Sequence, residues 1–324
     1  MIILVLLFLA ELFYFKIADK CNIIDKPNER SSHTRITLRG GGIIFYFGAL
    51  AYFLTNHWEY PWFILALTLI TFISFVDDIR SISQSLRLML HFTAMVLMFY
   101  QWGLFTLPWW WIIVALIVCT GIINAYNFMD GINGITVGYS LAVLVPLAVV
   151  NMKSNYVEQS LIISTILASL VFCIFNFRPK GKAKCFAGDV GSIGIAFIML
   201  FLLGNVIIKT GDITWLIFLL VYGVDGCLTI VHRIMLHENL GEAHRKHAYQ
   251  LMANELKIGH VKVTLLYMVL QLIVSFMFIY IIPDRLVAHW VYLGTIVGVL
   301  TAAYLLFMKK YYHLHEAYLV SINK

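Results

Sequence analysis

Eleven apolar stretches, at 1–18, 41–56, 60–76, 86–102, 109–123, 135–151, 160–177, 192–208, 213–232, 262–282 and 289–307, leave little of this chain for anything but membrane crossing. A crossing helix needs roughly 20 predominantly apolar residues, and inside a bilayer the backbone must satisfy its own hydrogen bonds. The expected fold is therefore all-α, a polytopic transmembrane helix bundle of 10–11 spans. Composition agrees, with 61% of residues hydrophobic and 12% charged, where a soluble domain is about half apolar and about a quarter charged. No large soluble domain remains, so residues 1–324 read as a single membrane domain whose site would be built from loops. The opening stretch lacks a preceding basic region and a small-residue cleavage site, so it reads as a first span and not as a removed signal peptide. Cys21, Cys119, Cys173, Cys185 and Cys227 are scattered without a paired spacing, which suggests packing residues and neither disulfides nor zinc.

Orientation follows from the basic residues. With the loop after the first stretch placed in the cytoplasm, 19 of the 23 lysines and arginines fall on that side, Lys26, Arg30, Arg39, Arg87 and Lys324 among them. The positive-inside rule then expects an outside N-terminus and a cytoplasmic C-terminus. Every chemically unusual segment falls on the same cytoplasmic side, so several loops could share one site.

The segment NAYNFMDGINGI, Asn124 to Ile135, lies between two apolar runs. Asn124, Asn127, Asp130 and Asn133 recur every third residue, which places them along one side of a helical turn or its frayed end. A carboxylate this close to a span belongs at an interface, in a protein-lined cavity or in a pair. Gly131 and Gly134 would let the backbone approach a ligand.

Other inner segments carry further candidates. DKPNERSSHTRITLRGGGI, Asp25 to Ile43, combines Arg39 with three glycines whose exposed N–H groups suit an anion; attraction to anionic lipid would account for the charge alone. FVDDI sets Asp77 beside Asp78; such a pair is eased by a shared cation, for which oxygen ligands favour Mg²⁺ or Mn²⁺, or by pairing with Arg80 or Arg87. FNFRPKGKAKCFAGDVGSIG contains Asn176, a basic turn, Phe186 and Asp189 at a glycine-flanked helix start, where an Asp can reach a metal or cap the helix. HRIMLHENLGEAHRKHAYQ offers His244, Arg245 and His247 as phosphate donors or, for a histidine, a proton carrier; two histidines three apart could also hold zinc. Asp225, inside the ninth stretch, reads first as a buried structural partner.

The order of these motifs, Asp–x–Pro with Arg and a glycine run, Asp–Asp, N-x-x-N-x-x-D-G-x-x-G, F-x-G-D-x-G-S and a His/Arg loop, resembles the polyprenyl-phosphate N-acetylhexosamine-1-phosphate transferase family, related to the phospho-N-acetylmuramoyl-pentapeptide transferase. The resemblance implies transfer of a sugar 1-phosphate from a UDP-N-acetyl sugar to a polyprenyl phosphate such as undecaprenyl phosphate, releasing UMP, at the cytoplasmic face of a bacterial inner membrane. It implies that Asp77 and Asp78 face the lipid phosphate and the metal, one of them a candidate base, and that Asp189 binds Mg²⁺. Asn127, Asp130 and Asn133 would hold the nucleotide, Asn176 and Phe186 the uracil, and His244, Arg245 and His247 the pyrophosphate or sugar. Family members of this kind initiate O-antigen, enterobacterial common antigen and teichoic acid synthesis; no nucleic-acid partner is implied, and an oligomer is compatible.

Two departures stand out. Asn133 occupies a position where the muramoyl-pentapeptide branch has Asp, and His244–Arg245–Lys246–His247 replaces its consecutive histidines. Both argue against a pentapeptide substrate, and the AHRKHAYQ form is closer to transferases for deoxysugars such as N-acetylfucosamine or N-acetylquinovosamine. The competing class is a membrane transporter, which would need acidic residues through the mid-membrane of several spans; of those stretches only the ninth, with Asp225, qualifies.

Overall fold

The computed structural model describes residues 2–25, 35–239 and 244–322. Lys26, Pro27, Arg30 and Lys324, used above for the first motif and for orientation, lie outside the described residues. The helices are α1 (Ile2–Lys20), α2 (Ile43–Thr55), α3 (Pro61–Ile79), α4 (Gln84–Gln101), α5 (Trp110–Phe128), α6 (Ile135–Ser154), α7 (Gln159–Asn176), α8 (Gly188–Thr210), α9 (Leu220–Met235), α10 (Ala248–Asn254), α11 (His260–Tyr280) and α12 (Leu286–Ile322). A 3₁₀ segment, Ile213–Leu219, leads into α9.

Each of the eleven apolar stretches is helical, and the chain is a multi-pass membrane protein. Among the described residues eight helices are long and apolar enough to cross a membrane, while α2 is an apolar helix of only 13 residues. α1 carries Glu11, Lys16, Asp19 and Lys20, and α4 carries Arg87 and His91, so both are too polar to read as simple lipid-facing spans. The bundle is also not purely helical. A two-stranded antiparallel ribbon pairs β1 (Ile24–Asp25) with β2 (Thr37–Leu38), and Leu38 bridges in parallel to Cys185.

Contacts at the helix ends sort them into two faces. Asp78, Gly134, Asn176, Gly188 and His260 meet at one face through Asp78–Val190, Gly134–Asn176 and Asn133–His260 hydrogen bonds. At the other, Asn56 meets Ser160, Tyr60 meets Glu158, Lys209 meets Asn155 and Asp212 meets His289. The helices alternate between these faces.

Helix α8 runs through the centre, its side chains buried from Val190 through Leu203. Packing between helices in lipid gains little from the hydrophobic effect, so close approach of small residues matters more. At Gly191 and Gly42 the α8 and α2 backbones touch, and a methyl added at Gly191 would overlap the Gly42 Cα. Aromatic stacks complete the core, with Phe63 on Phe201 at 3.9 Å and Tyr139 on Tyr222 at 3.5 Å. Cys119 and Cys185 are buried, Cys173 is half-buried, and Cys21 and Cys227 are exposed; all five are free thiols, so packing accounts for only some of them.

The change from 3₁₀ to α-helix before α9 frees backbone groups deep in the bundle, where each must find a partner. Gln271 of α11 supplies it: its amide donates to the Ile217 carbonyl at 3.0 Å, and its oxygen accepts from the Val221 amide at 3.2 Å and the Tyr139 hydroxyl at 2.7 Å. The Tyr139 oxygen accepts in turn from the Tyr222 amide. Gln271→Leu keeps the volume but strands these groups at a cost of about 1–3 kcal/mol each. The melting temperature of the detergent-solubilised protein should fall by several degrees, whereas Thr295→Val, which loses only an exposed bond to Val291 of its own helix, should leave it unchanged.

Candidate active site

The Gly-rich strap after β2 is stitched onto the start of α8. Phe186 donates its amide to the Leu38 carbonyl at 2.8 Å, Gly41 donates to the Phe186 carbonyl at 2.9 Å and Gly42 to the Ala187 carbonyl at 3.1 Å. Gly40 has φ +78°, and a side chain there would run into the Tyr14 hydroxyl, which itself donates to the Arg39 carbonyl. This registers Arg39 against Phe186 and Asp189.

Asp78 closes the junction. Its side chain is fully buried, Oδ1 accepts from the Asp189 amide at 2.9 Å and Oδ2 from the Val190 amide at 3.0 Å. A carboxylate from α3 thus caps the first turn of α8, satisfying orphan donors at the positive end of the helix dipole. Arg39 donates from Nε to the same carboxylate at 2.6 Å and from its guanidinium to Asp189 at 3.3 Å. Gly188, with φ +71°, leaves the space the Asp78 carboxylate fills.

A polar cavity of about 160 Å³ opens beside this junction, lined by Asp25, Arg39, Asn127, Asp130, Asn133, Asn176, Phe186, Asp189 and His260 together with glycines. Seven of the thirteen candidate site residues therefore meet in one place. Their side chains are not equally free. Asn133 donates to the carbonyls of Arg178 and Pro179, both at 3.0 Å, and Asn176 accepts from the Gly134 amide and donates to the Cys185 carbonyl, both at 2.8 Å. These two amides build the wall. Asn127 accepts from the Ser192 hydroxyl at 3.3 Å, and Asp130 accepts from the Thr136 hydroxyl at 2.5 Å. Burial, with Asp189 and Asp78 nearby, pushes the Asp130 carboxyl up to about 7 against the Thr136 hydrogen bond.

A second cavity, of about 560 Å³, adjoins the first through Asn127, Asp130 and Gly131. Arg87, His91, Asn124, His244 and Gln250 give it a polar end, and Leu88, Phe92, Met95, Ile123 and Ile193 give it apolar walls. Burial lowers the His244 imidazole to about 3, so it is neutral here.

The structure gives four candidates protein partners. Asp77 accepts from Arg87 at 3.0 Å and from the Ile82 amide at 3.0 Å, on the α3–α4 turn, while its charge still bears on Asp189. Asp78 has both oxygens engaged, by two amides of α8 and by Arg39. Arg245 turns away from both cavities to pair with Glu255 at 2.9 Å and lie over the Tyr318 ring at 4.2 Å. His247 is 1% exposed and sits at the start of α10, 3.4 Å from Asp225, and lines neither cavity.

His260, His91 and Thr136 were not singled out by sequence, and Arg87 was named, apart from its charge, only as a partner for the Asp77–Asp78 pair, the role it fills with Asp77. The signal for His260 was slight, a Gly–His pair opening an apolar run, and only the fold brings its ring to the Asn133 amide at 3.2 Å. Besides Asp78 at the end of α3, the acidic side chains buried within helices among the described residues are Glu11 and Asp225. Both are tied to protein, Glu11 to the Cys185 thiol and Asp225 to α10, and neither belongs to a chain of carboxylates crossing the bundle.

Among the described residues no group of three His, Cys, Asp or Glu side chains forms a metal cage. Mg²⁺ needs none, since it is held by one or two carboxylates with substrate phosphates and water. Asp130 and Asp189, hard oxygen donors lining one cavity, fit that ion.

A family model for glycosyl transferase family 4 matches residues 60–207, which hold Asp77, Asp78, the Asn124–Asn133 segment, Asn176 and Asp189. A Bacillus subtilis (strain 168) protein named "Probable undecaprenyl-phosphate N-acetylglucosaminyl 1-phosphate transferase" is 28% identical over 74% of this chain and 72% of its own length. The undecaprenyl-phosphate alpha-N-acetylglucosaminyl 1-phosphate transferase of Yersinia pestis is 28% identical over 58% of this chain, which spans 56% of that relative. Its counterpart in Escherichia coli (strain K12) is 26% identical over 62% of this chain and 60% of its own. With its motifs in order and gathered at one face of a membrane bundle, the chain is similar to the polyprenyl-phosphate N-acetylhexosamine-1-phosphate transferases and carries a glycosyl transferase family 4 match over residues 60–207.

Proposed function

We propose that the protein transfers an N-acetylhexosamine 1-phosphate, or a deoxy form of one, from a UDP-sugar to a polyprenyl phosphate such as undecaprenyl phosphate. The products are UMP and a polyprenyl-diphosphate sugar, and the reaction initiates a surface polysaccharide at the cytoplasmic face of a bacterial inner membrane. The observation that supports this best is that a polar cavity and a half-apolar one share Asp130. One suits a nucleotide, the other a phosphate on a hydrocarbon chain.

In the balanced step, an oxygen of the acceptor phosphate forms a bond to the β-phosphorus of the donor. The bond from that phosphorus to the bridging oxygen breaks, and UMP leaves with the electron pair. An acceptor phosphate ionised near neutral pH needs no strong base, consistent with Asp78 being occupied as a helix cap. Arg39 would hold donor phosphate, Phe186 would stack on the uracil, and Arg87 would hold the acceptor headgroup while Leu88 and Phe92 line its chain. Asp130 and Asp189 would bind Mg²⁺, with Mn²⁺ as a substitute. When bound, the ion neutralises phosphate charge as it redistributes.

Purified protein in detergent with undecaprenyl phosphate and a panel of UDP-N-acetylglucosamine, UDP-N-acetylfucosamine and UDP-N-acetylquinovosamine should release UMP with at least one donor, and EDTA should abolish it until Mg²⁺ is restored. Asp189→Asn and Asp130→Asn should each lower the rate by about 100-fold or more, the scale on which a positioned charge-stabilising group acts. Full activity in either would remove that residue from the ion. Phe186→Ala should raise KM for the UDP-sugar about tenfold, as loss of one base–aromatic stack does, with kcat less affected. Arg87→Gln should raise KM for undecaprenyl phosphate and leave that for the UDP-sugar unchanged; the reverse pattern would exchange the two subsites.

A further inference from the structure

Asp225 has no part in the reaction as described, and its surroundings assign it one. We infer that Asp225 is a positioning residue: it anchors α10, and α10 holds the turn that carries Asp130. The inference rests on the functional reading above.

Asp225 is 3% exposed, and its carboxylate faces donors only. Oδ1 accepts from the Ala248 amide at 3.1 Å and the Thr229 hydroxyl at 3.2 Å, while Oδ2 accepts from the Tyr267 hydroxyl at 2.6 Å and the Tyr249 amide at 3.4 Å. His247 Nδ1 lies 3.4 Å from Oδ1. A carboxylate of α9 therefore ties the first turn of α10 to α11. Helix α10 has seven residues, too few to persist by itself in water, so its position is set by what grips it: Asp225 at the start, and Tyr304 and Met308 of α12 beside Ala248 and Leu251.

The opposite side of α10 meets the Asp130 turn. Tyr249 donates its hydroxyl to the Phe128 carbonyl at 3.0 Å, capping one of the orphan carbonyls at the end of α5. Gly131 lies directly against the Tyr249 hydroxyl and the Gln250 amide, with no room for a methyl group. Asp130 sits between these two contacts, at the junction of the two cavities. The path runs from Asp225 through α10 and Tyr249 to Phe128 and Gly131. It also accounts for His247, which belongs to this collar and has no access to substrate.

The test uses the full chain in detergent or nanodiscs, with Asp225→Asn, Tyr249→Phe and the double variant, read by hydrogen exchange of residues 128–134 and by kcat for UMP release. Each single variant should raise exchange in that segment and lower kcat by about tenfold. The double variant should be no worse than the weaker single one, because both break the same path. Additive effects would overturn the inference, as would wild-type exchange and kcat in Tyr249→Phe, which keeps the ring packing and remains informative should Asp225→Asn fail to fold. A loss of melting temperature in Asp225→Asn with residues 128–134 unaltered would mean a purely structural anchor. Absence of UMP release from the wild type would instead sink the functional reading, and the exchange measurements would still decide the coupling.

Discussion

One carboxylate holds the cavity-bearing face together. Asp78 leaves α3 to receive two amides from the first turn of α8 and the guanidinium of Arg39. A buried carboxylate without such partners would be driven to neutralise, and an α8 start without it would carry unpaired N–H groups beside a cavity. Around it, Gly42 and Gly191 are where the strap and α8 backbones approach too closely for side chains, Gly188 leaves room for the Asp78 carboxylate and Gly40 for the Tyr14 hydroxyl. The strap, α3 and α8 therefore form one unit, and Phe186 and Asp189 take their places from it.

The same economy of partners runs through the bundle. Gln271 serves a break in the helical ladder, Asn133 and Asn176 tie loops together, and Asp225 serves four donors on three helices. In a membrane protein most polar side chains are committed to other protein groups, because lipid offers no water to substitute for them. What stays open toward the cavity is a short set around Asp130, Asp189 and Arg39. A site defined in this way has acidic and cationic groups beside a partly apolar groove, the arrangement on which the proposed reaction rests.

Much of this was readable in advance. Apolar runs located the helices, since a span must be continuous in hydrocarbon, and the three-residue spacing of Asn124, Asn127, Asp130 and Asn133 located the segment at which the cavities meet. Asn133 shows the limit of such reading: it lies where a ligand contact was expected but spends its amide on Arg178 and Pro179. Asp77 and Asp78 look equivalent in sequence, yet adjacent positions on a helix diverge by about 100°, and one meets Arg87 while the other meets α8. Arg245 and His247 were expected beside the substrate, and their partners prove to be Glu255 and Asp225.

The amino-acid sequence by itself determined that this is a helical membrane protein, which segments cross or approach the bilayer, and that acidic, amide and basic motifs converge on one face. Those properties depend on local hydropathy and on the period of a helix. Only the tertiary structure decided which oxygens remain available, because the donors that occupy them come from far along the chain: Asp78 is claimed by amides 111 and 112 residues away, and Asn133 by a turn 45 residues on. A side chain's chemistry is a local property, but whether it is free to act depends on which distant group reaches it first.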